Sequence, residues 1–332
     1  VGKYAFSGTS LETINDGENI EEVDKYAFFR TKISYLPFEK NVVNINKYAF
    51  ADCENIKEIY FEKVERIEEF AFCSTIVFYI PNTIKYIGGR LANYVLFEDS
   101  EEELNNKGID TIDTKIFYYY NCNNLKEFKY KIFNSIKYLI VERNNEKEAI
   151  LIDGSNAVGD VILPNEIDSI AVTKIGARAF ENNNNLKSIV LSSNIKTIGN
   201  QSFSGCINLE SIDLKYVKEI DGPAFSETYS LKEINLPDTI ETITNSMLSN
   251  MYIEELVIPN SIKYIANNAF SWNTKLKKVY IPKSVTNIDW HAFNECGNIA
   301  IYCEAESKPE GWDDDWNNSY PVVWGCKSLP TD

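Results

Sequence analysis

Leu276-Lys-Lys-Val-Tyr-Ile-Pro-Lys-Ser-Val-Thr-Asn-Ile-Asp-Trp-His-Ala-Phe-Asn-Glu-Cys296 contains one full period of a pattern that runs along most of the chain. Its first third, Leu276 to Ile281, alternates apolar and polar residues, the period of a strand with one buried face. Pro282 then removes a ladder donor and starts a turn. Val285 and Ile288 form a second, shorter apolar run, and the pair Ala292-Phe293 closes the unit. A strand of five residues cannot bury its apolar face alone, so this unit calls for near-copies above and below it.

Those copies are present. An Ala-Phe pair or close variant ends at Phe6, Phe28, Phe50 and Phe72, and returns at Phe180, Phe203, Phe225, Leu248, Phe270 and Phe293. The spacings are 22, 22 and 22, then 23, 22, 23, 22 and 23. Five residues before each pair's end stands an aliphatic residue, as at Val23, Ile45, Ile67, Ile175, Ile198, Ile220, Ile243, Ile265 and Ile288. Ile87 before Ala92 and Ile112 before Phe117 mark two degenerate copies. The motif L-x-x-I-x-L follows, clear at Leu186/Ile189/Leu191, Leu209/Ile212/Leu214 and Leu231/Ile234/Leu236, weaker at Ile33/Leu36/Phe38 and Ile56/Ile59/Phe61. Stacking such units predicts a parallel sheet on one wall and a short extended run on the opposite wall. The space around Ala-Phe predicts a single helical or 3₁₀ turn. The phenylalanines should stack as a spine, each ring burying surface worth about 1.5–3 kcal/mol.

The quoted stretch resembles the BspA-like class of leucine-rich repeats, which reads roughly L-x-x-I-x-I-P-x-x-V-x-x-I-x-x-x-A-F-x-x-C. Tyr302 to Trp312, Trp316 and Pro321-Val-Val-Trp-Gly325 are similar to that family's closing segment. The resemblance implies an α/β leucine-rich-repeat fold: a right-handed solenoid of short parallel strands with a C-terminal cap. It also implies a secreted or cell-surface adhesion role, and it is far more specific for fold than for function.

The middle departs from the period. Ile136–Arg143 and Glu148–Ile152 flank polar Asn144-Asn-Glu-Lys147, a hairpin pattern. The reading is a repeat block at 1–133, a β-rich insert at 134–164, a second block at 165–296 and a Trp- and Pro-rich cap at 297–332, all of it compatible with one continuous solenoid. The acidic run Glu98–Glu103 reads as a solvated loop. Solenoids expose an apolar end unless something covers it, and Trp312, Trp316 and Trp324 suit that task.

Composition narrows the partners. The 332 residues are 44% hydrophobic, ample for a core, and carry a formal net charge of −16. So acidic a surface repels phosphate backbones and anionic headgroups, leaving proteins and glycans. No apolar run is long enough to span a membrane. The chain opens part-way through a motif, so a removed signal peptide or a trimmed chain is expected, and the location expected is extracellular or at the cell surface.

Catalytic and metal chemistry find little support. His291 is the only histidine. It occupies the slot held elsewhere by Tyr4, Tyr26 and Tyr48, so it reads as structural rather than as part of a triad or metal site. Seven cysteines without a CxxC suggest neither a disulfide framework nor a zinc ribbon. Cys53, Cys206 and Cys296 lie three residues after their Phe, where Thr9, Thr31, Asn183, Thr228 and Asn273 stand in other copies. Such side chains suit the capping of backbone groups inside a coil. A Cys303–Cys326 pairing stays open. Asp313-Asp-Asp315 lacks the spacing of a calcium loop and reads as a solvated turn. No phosphate loop occurs, so no cofactor, metal or catalytic residue is expected, and the chain reads as no enzyme.

Alternation names the outward residues of the main sheet: Tyr60, Tyr79, Lys129, Val190, Asp213, Asn235, Val257 and Tyr280, with Ala300 next in the series. At ~4.8 Å per strand, ten coils offer a face roughly 50 Å long. The function expected is a non-catalytic, monomeric binding module recognising an extracellular protein or glycan on that face. The alternative is an architectural spacer displaying another domain.

Overall fold

The computed structural model describes all residues except 57, 73–76, 90–93, 98–100, 110–116, 120–129, 144–145 and 331–332. It is a β-solenoid, and the described chain forms two compact units. The first is Val1–Lys129 with Val141–Lys147, and the second is Tyr130–Ile140 with Glu148–Asp332. Each holds its own hydrophobic core.

One coil shows why the period is 22 or 23. Leu186–Val190 forms the main-wall strand, with Leu186 and Ile189 buried and Lys187 and Val190 exposed. A turn closed by the Ile195 amide on the Ser192 carbonyl (3.1 Å) sends the chain to the opposite wall, where Thr197–Ile198 pairs in parallel with both neighbouring coils. In other coils proline takes the first place of this turn: Ile240, Ile262 and Val285 donate to Pro237, Pro259 and Pro282. The proline role read from sequence therefore holds.

The Ala-Phe segment differs from expectation. It is a run of consecutive β-turns, not a helical or 3₁₀ turn. Ser202, Ser204 and Cys206 donate to Gly199, Gln201 and Phe203 respectively, each three residues back. The alternate amides, Phe203 and Gly205, reach the next coil at Ala224 and Ser226 with bonds of 2.9 and 2.8 Å. Every amide from 202 to 206 is thus satisfied, three inside the coil and two by its neighbour. Such a run requires left-handed backbone at the third position of alternate turns, supplied here by Gln201 (φ 55°) and Gly205 (φ 72°). A helical turn would have aimed all the amides along one axis and left none for the next coil.

The phenylalanines stack as expected. Ring centroids lie 5.3, 5.1 and 4.9 Å apart along Phe6, Phe28, Phe50 and Phe72. In the second unit Phe180, Phe203 and Phe225 are spaced 5.2 and 5.5 Å, and Phe270 and Phe293 4.9 Å. Leu248 fills the interval between Phe225 and Phe270, with Met247 and Met251 also fully buried nearby in sequence.

The first unit's main wall consists of Glu58–Tyr60, Val77–Ile80, Tyr94–Phe97 and Phe117–Tyr119, all parallel. Phe117 therefore lies in a main-wall strand rather than in an Ala-Phe turn. Its Tyr118-Tyr119 continuation favours extended backbone, and no Ala precedes it. Part of the acidic run expected as a loop is helical: Glu101–Asn106 is a short helix with Leu104 buried. Glutamates in a first helical turn complement the helix dipole, a signal outweighed in the sequence reading by sheer acidity.

In the second unit the main wall runs Gly159–Ile162, Leu186–Val190 and Ser211–Asp213, then Glu255–Val257, Lys278–Ile281, Ala300–Cys303 and Val322–Val323. Its opposite wall is led by Tyr130–Phe133, residues 136–140 and residues 148–153. The hairpin 130–139 turns at Asn134-Ser135, both left-handed (φ 50° and 64°), the requirement of a type I′ turn. In the last coils Trp312 and Trp316 are buried. Trp312 Nε1 donates to the Val285 carbonyl (3.1 Å), and Trp316 meets Phe293 edge-on at 6.0 Å.

Candidate functional site

Outward positions depend on register, and register is set by the inward ladder. Ile189 pairs with Ile212, and Leu256 with Val279 and then Ile301. That alignment carries Ile162, Val190 and Asp213 into one outward column, and Val257, Tyr280, Tyr302 and Val323 into another. Ile162, Val190, Val257 and Val323 are 74%, 50%, 59% and 46% exposed, and Tyr280 and Tyr302 are half-buried between. The second column is a four-strand strip of apolar and aromatic side chains, spanning about 14 Å at the strand spacing. Burial pushes the Tyr280 phenol above its ordinary value, with Glu304 adding to the shift, so at neutral pH it stands as a neutral donor. Beside the strip, Lys278 pairs with Glu255 at 3.2 Å and donates to the Pro330 carbonyl.

The sequence-named residues fall as follows. Val190, Asp213, Asn235 and Val257 are exposed, and Tyr280 is half-buried, all in the second unit. Asn235 follows no assigned strand, although its flanking Ile234 and Leu236 are buried as expected. Tyr60 is half-buried in the first unit, 4.8 Å from the ring of Tyr79. Tyr79 is only 2% exposed, which corrects its reading as an outward contact residue. Val77-Phe-Tyr-Ile80 is a continuous apolar run with all four residues buried, the pattern of a strand covered on both faces, where alternation no longer separates inside from outside. Lys129 lies outside the described residues. Ala300 aligns with Lys278, so the column belongs instead to Tyr302. Ile162, Tyr302 and Val323 were the members missed. The buried pair Ile301 and Cys303 was the available signal that Tyr302 faces out.

The remaining candidates are structural in their contacts. His291 has φ 55°, matching Tyr4, Tyr26 and Tyr48 at 57°, 57° and 59°, and its Nε2 lies 2.8 Å from Asp315 Oδ2. In the first unit that slot makes a ladder of stacked rings, with centroids 4.9, 4.9 and 5.0 Å apart from Tyr4 to Phe70. The thiols of Cys53, Cys206 and Cys296 donate to the carbonyls of Phe28, Phe180 and Phe270 in the preceding coils, at 2.9, 2.9 and 3.0 Å. Asn273 serves the same carbonyl row through Leu248 and Phe270, and Thr228 through Phe225. Burial pushes the Cys206 and Cys296 thiols up to about 12. The carboxylates of 313–315 are spent on the protein: Asp313 accepts the Asp315 amide, Asp314 pairs with Lys308, and Asp315 with His291. Among the described residues no group of three or more His, Cys, Asp or Glu could hold a metal ion. Among them, too, no helix is long and apolar enough to cross a membrane.

Against this geometry, a family profile described as BspA type leucine rich repeat region matches residues 1–102 and 215–303 in six copies. The chain belongs to the BspA-type leucine-rich-repeat family. A second profile, leucine rich repeat, matches residues 166–216 of this BspA-type chain. Among solved structures it is similar to the T. pallidum leucine rich repeat protein, at 26% identity over 63% of this chain and 90% of that one, with a TM-score of 0.46. It is similar also to the pneumococcal vaccine antigen PcpA, at 16% identity over 97% and 76%, with a TM-score of 0.43. A leucine rich cell surface protein of Faecalibacterium prausnitzii shows 18% identity over 93% and 81%, with a TM-score of 0.39. No curated protein is significantly similar to this chain.

Proposed function

We propose that this chain is a non-catalytic, monomeric binding module of a secreted or surface protein, recognising a neutral or basic protein or a glycan. The recognition surface is the outer face of the second unit's main wall: Val190, Asp213, Asn235, Val257 and Tyr280, extended by Ile162, Tyr302 and Val323. Lys129 and the half-buried Tyr60 stay as secondary contact residues. Residues 297–332 serve as the cap. The observation that supports the reading is the in-register strip Val257–Tyr280–Tyr302–Val323, because apolar and aromatic residues held outward on a rigid sheet have no role in the core. Aromatic side chains at low entropic cost are the usual anchors of such surfaces. The formal charge of −16 sets the sign of the partner.

The test is a screen of immobilised matrix proteins and glycans, followed by Val257→Asp and Tyr280→Ala. Each substitution should weaken a partner found in the screen at least about tenfold, or 1.4 kcal/mol, with the unfolding midpoint held within a few degrees. A partner bound equally well by both variants overturns the assignment of the face. A screen without partners favours the spacer.

A further inference from the structure

We propose that Cys303 and Cys326 are a disulfide site, closed by thiol–disulfide exchange with a low-molecular-weight disulfide such as oxidised glutathione, which ties residues 304–325 to the last coil.

Four of the five described cysteines are buried, and three of those four have their thiols engaged with Phe carbonyls. Cys303 is the exception. It occupies an inward strand position aligned with Ile281, where the repeat places an aliphatic residue, and its thiol has no hydrogen-bond partner among the described residues. Cys326 is half-buried and makes only long thiol contacts, 3.5 and 4.0 Å, to its own loop at Val323 and Trp324.

The backbone holds the two together. The Cys326 amide donates to the Cys303 carbonyl at 2.9 Å. Standard bond lengths then cap their Cα separation at about 6.8 Å whatever the angle of that hydrogen bond. Disulfides span that distance, up to about 6.8 Å. The neighbouring amide, Gly325 (φ 73°), bonds Ala305 at 2.9 Å, so the approach is fixed by a pair of hydrogen bonds around a left-handed glycine. Burial pushes the Cys303 thiol up to about 12, with the nearby Cys326 contributing, so the accessible Cys326 reacts first.

In the first exchange the Cys326 thiolate attacks one sulfur of the oxidant, forms a mixed disulfide and expels one thiolate, which takes a proton. In the second, Cys303 gives its proton to solvent and attacks the Cys326 sulfur, expelling the second thiol. Two cysteine thiols are oxidised and one external disulfide becomes two thiols. The closed loop contains Trp312, Trp316 and Val323, so oxidation fixes the end of the outward strip as well as the buried indoles.

The full chain is incubated with oxidised glutathione at mildly alkaline pH, quenched by acidification, and read by intact mass and peptide mapping. The expected product is two hydrogens lighter than the reduced chain and yields a peptide joining Cys303 to Cys326. Cys303→Ser should instead keep glutathione on Cys326, and Cys326→Ser should carry neither cross-link nor adduct at Cys303. A wild-type chain that retains glutathione on Cys326 without the cross-link, or joins other cysteines in its place, overturns the proposal.

Discussion

Tyr26, Gln201 and His291 share a backbone conformation rather than a chemistry, with φ of 57°, 55° and 55°. A left-handed non-glycine residue costs roughly 1–2 kcal/mol. It is tolerated because the neighbouring coils take up the alternate amides it exposes. The slot three residues after Phe is equally backbone-driven. Cys206→Ala removes the thiol donor from the Phe180 carbonyl, which keeps the Asn183 amide (2.9 Å), and should cost about 0.5–1.5 kcal/mol in denaturant unfolding. Cys206→Ser should recover most of it, and an Ala variant as stable as the parent would dismiss the thiol's role. Glu39 makes a pH prediction. Burial raises its carboxyl from 4.5 to about 7. Between those values the folded chain binds the proton that the unfolded chain has released, so stability falls as pH rises through this window. Glu39→Gln should therefore flatten the pH dependence of the unfolding midpoint, leaving pH 4 unchanged and raising it above pH 7. A variant with the parent's slope would contradict the assignment.

At the scale of elements, the strands are short and the turns carry the specificity. Gly199 shows how tightly coils nest, since a Cβ there would sit 2.5 Å from the Ala177 amide nitrogen, whereas Gly89 has open space. Gly199→Ala should cost about 1–3 kcal/mol through overpacking. Gly89→Ala should be close to neutral, and equal thermal midpoints for the two would argue against that nesting. The strand ladder, the proline turns and the Phe spine were legible because each depends on apolar residues at a fixed period. Turn conformation was not, since Tyr, Gln, Ser, Asn and His all fill the left-handed slot and no residue type announces it. The type I′ hairpin at Asn134-Ser135 lacked the usual glycine. Tyr79 was misread because an unbroken apolar run carries no period. On the candidate face, alternation identified Val190, Val257 and Tyr280, while Tyr302 required the register that only pairing supplies.

Across the whole molecule, stability is a sum over coils and their interfaces, and the alternate amides of each run of turns are bonded only when the neighbouring coil is in place. The formal charge of −16 comes from residues outside the inward ladder, so its pattern can vary without disturbing the stack. Native-state amide hydrogen exchange over residues 202–206 tests this most directly. Phe203 and Gly205, bonded to the next coil, should be protected as strongly as Ser204 and Cys206, bonded within their own. Exchange of Phe203 and Gly205 at unfolded-chain rates, with the other two protected, would contradict an account in which stacked coils complete one another.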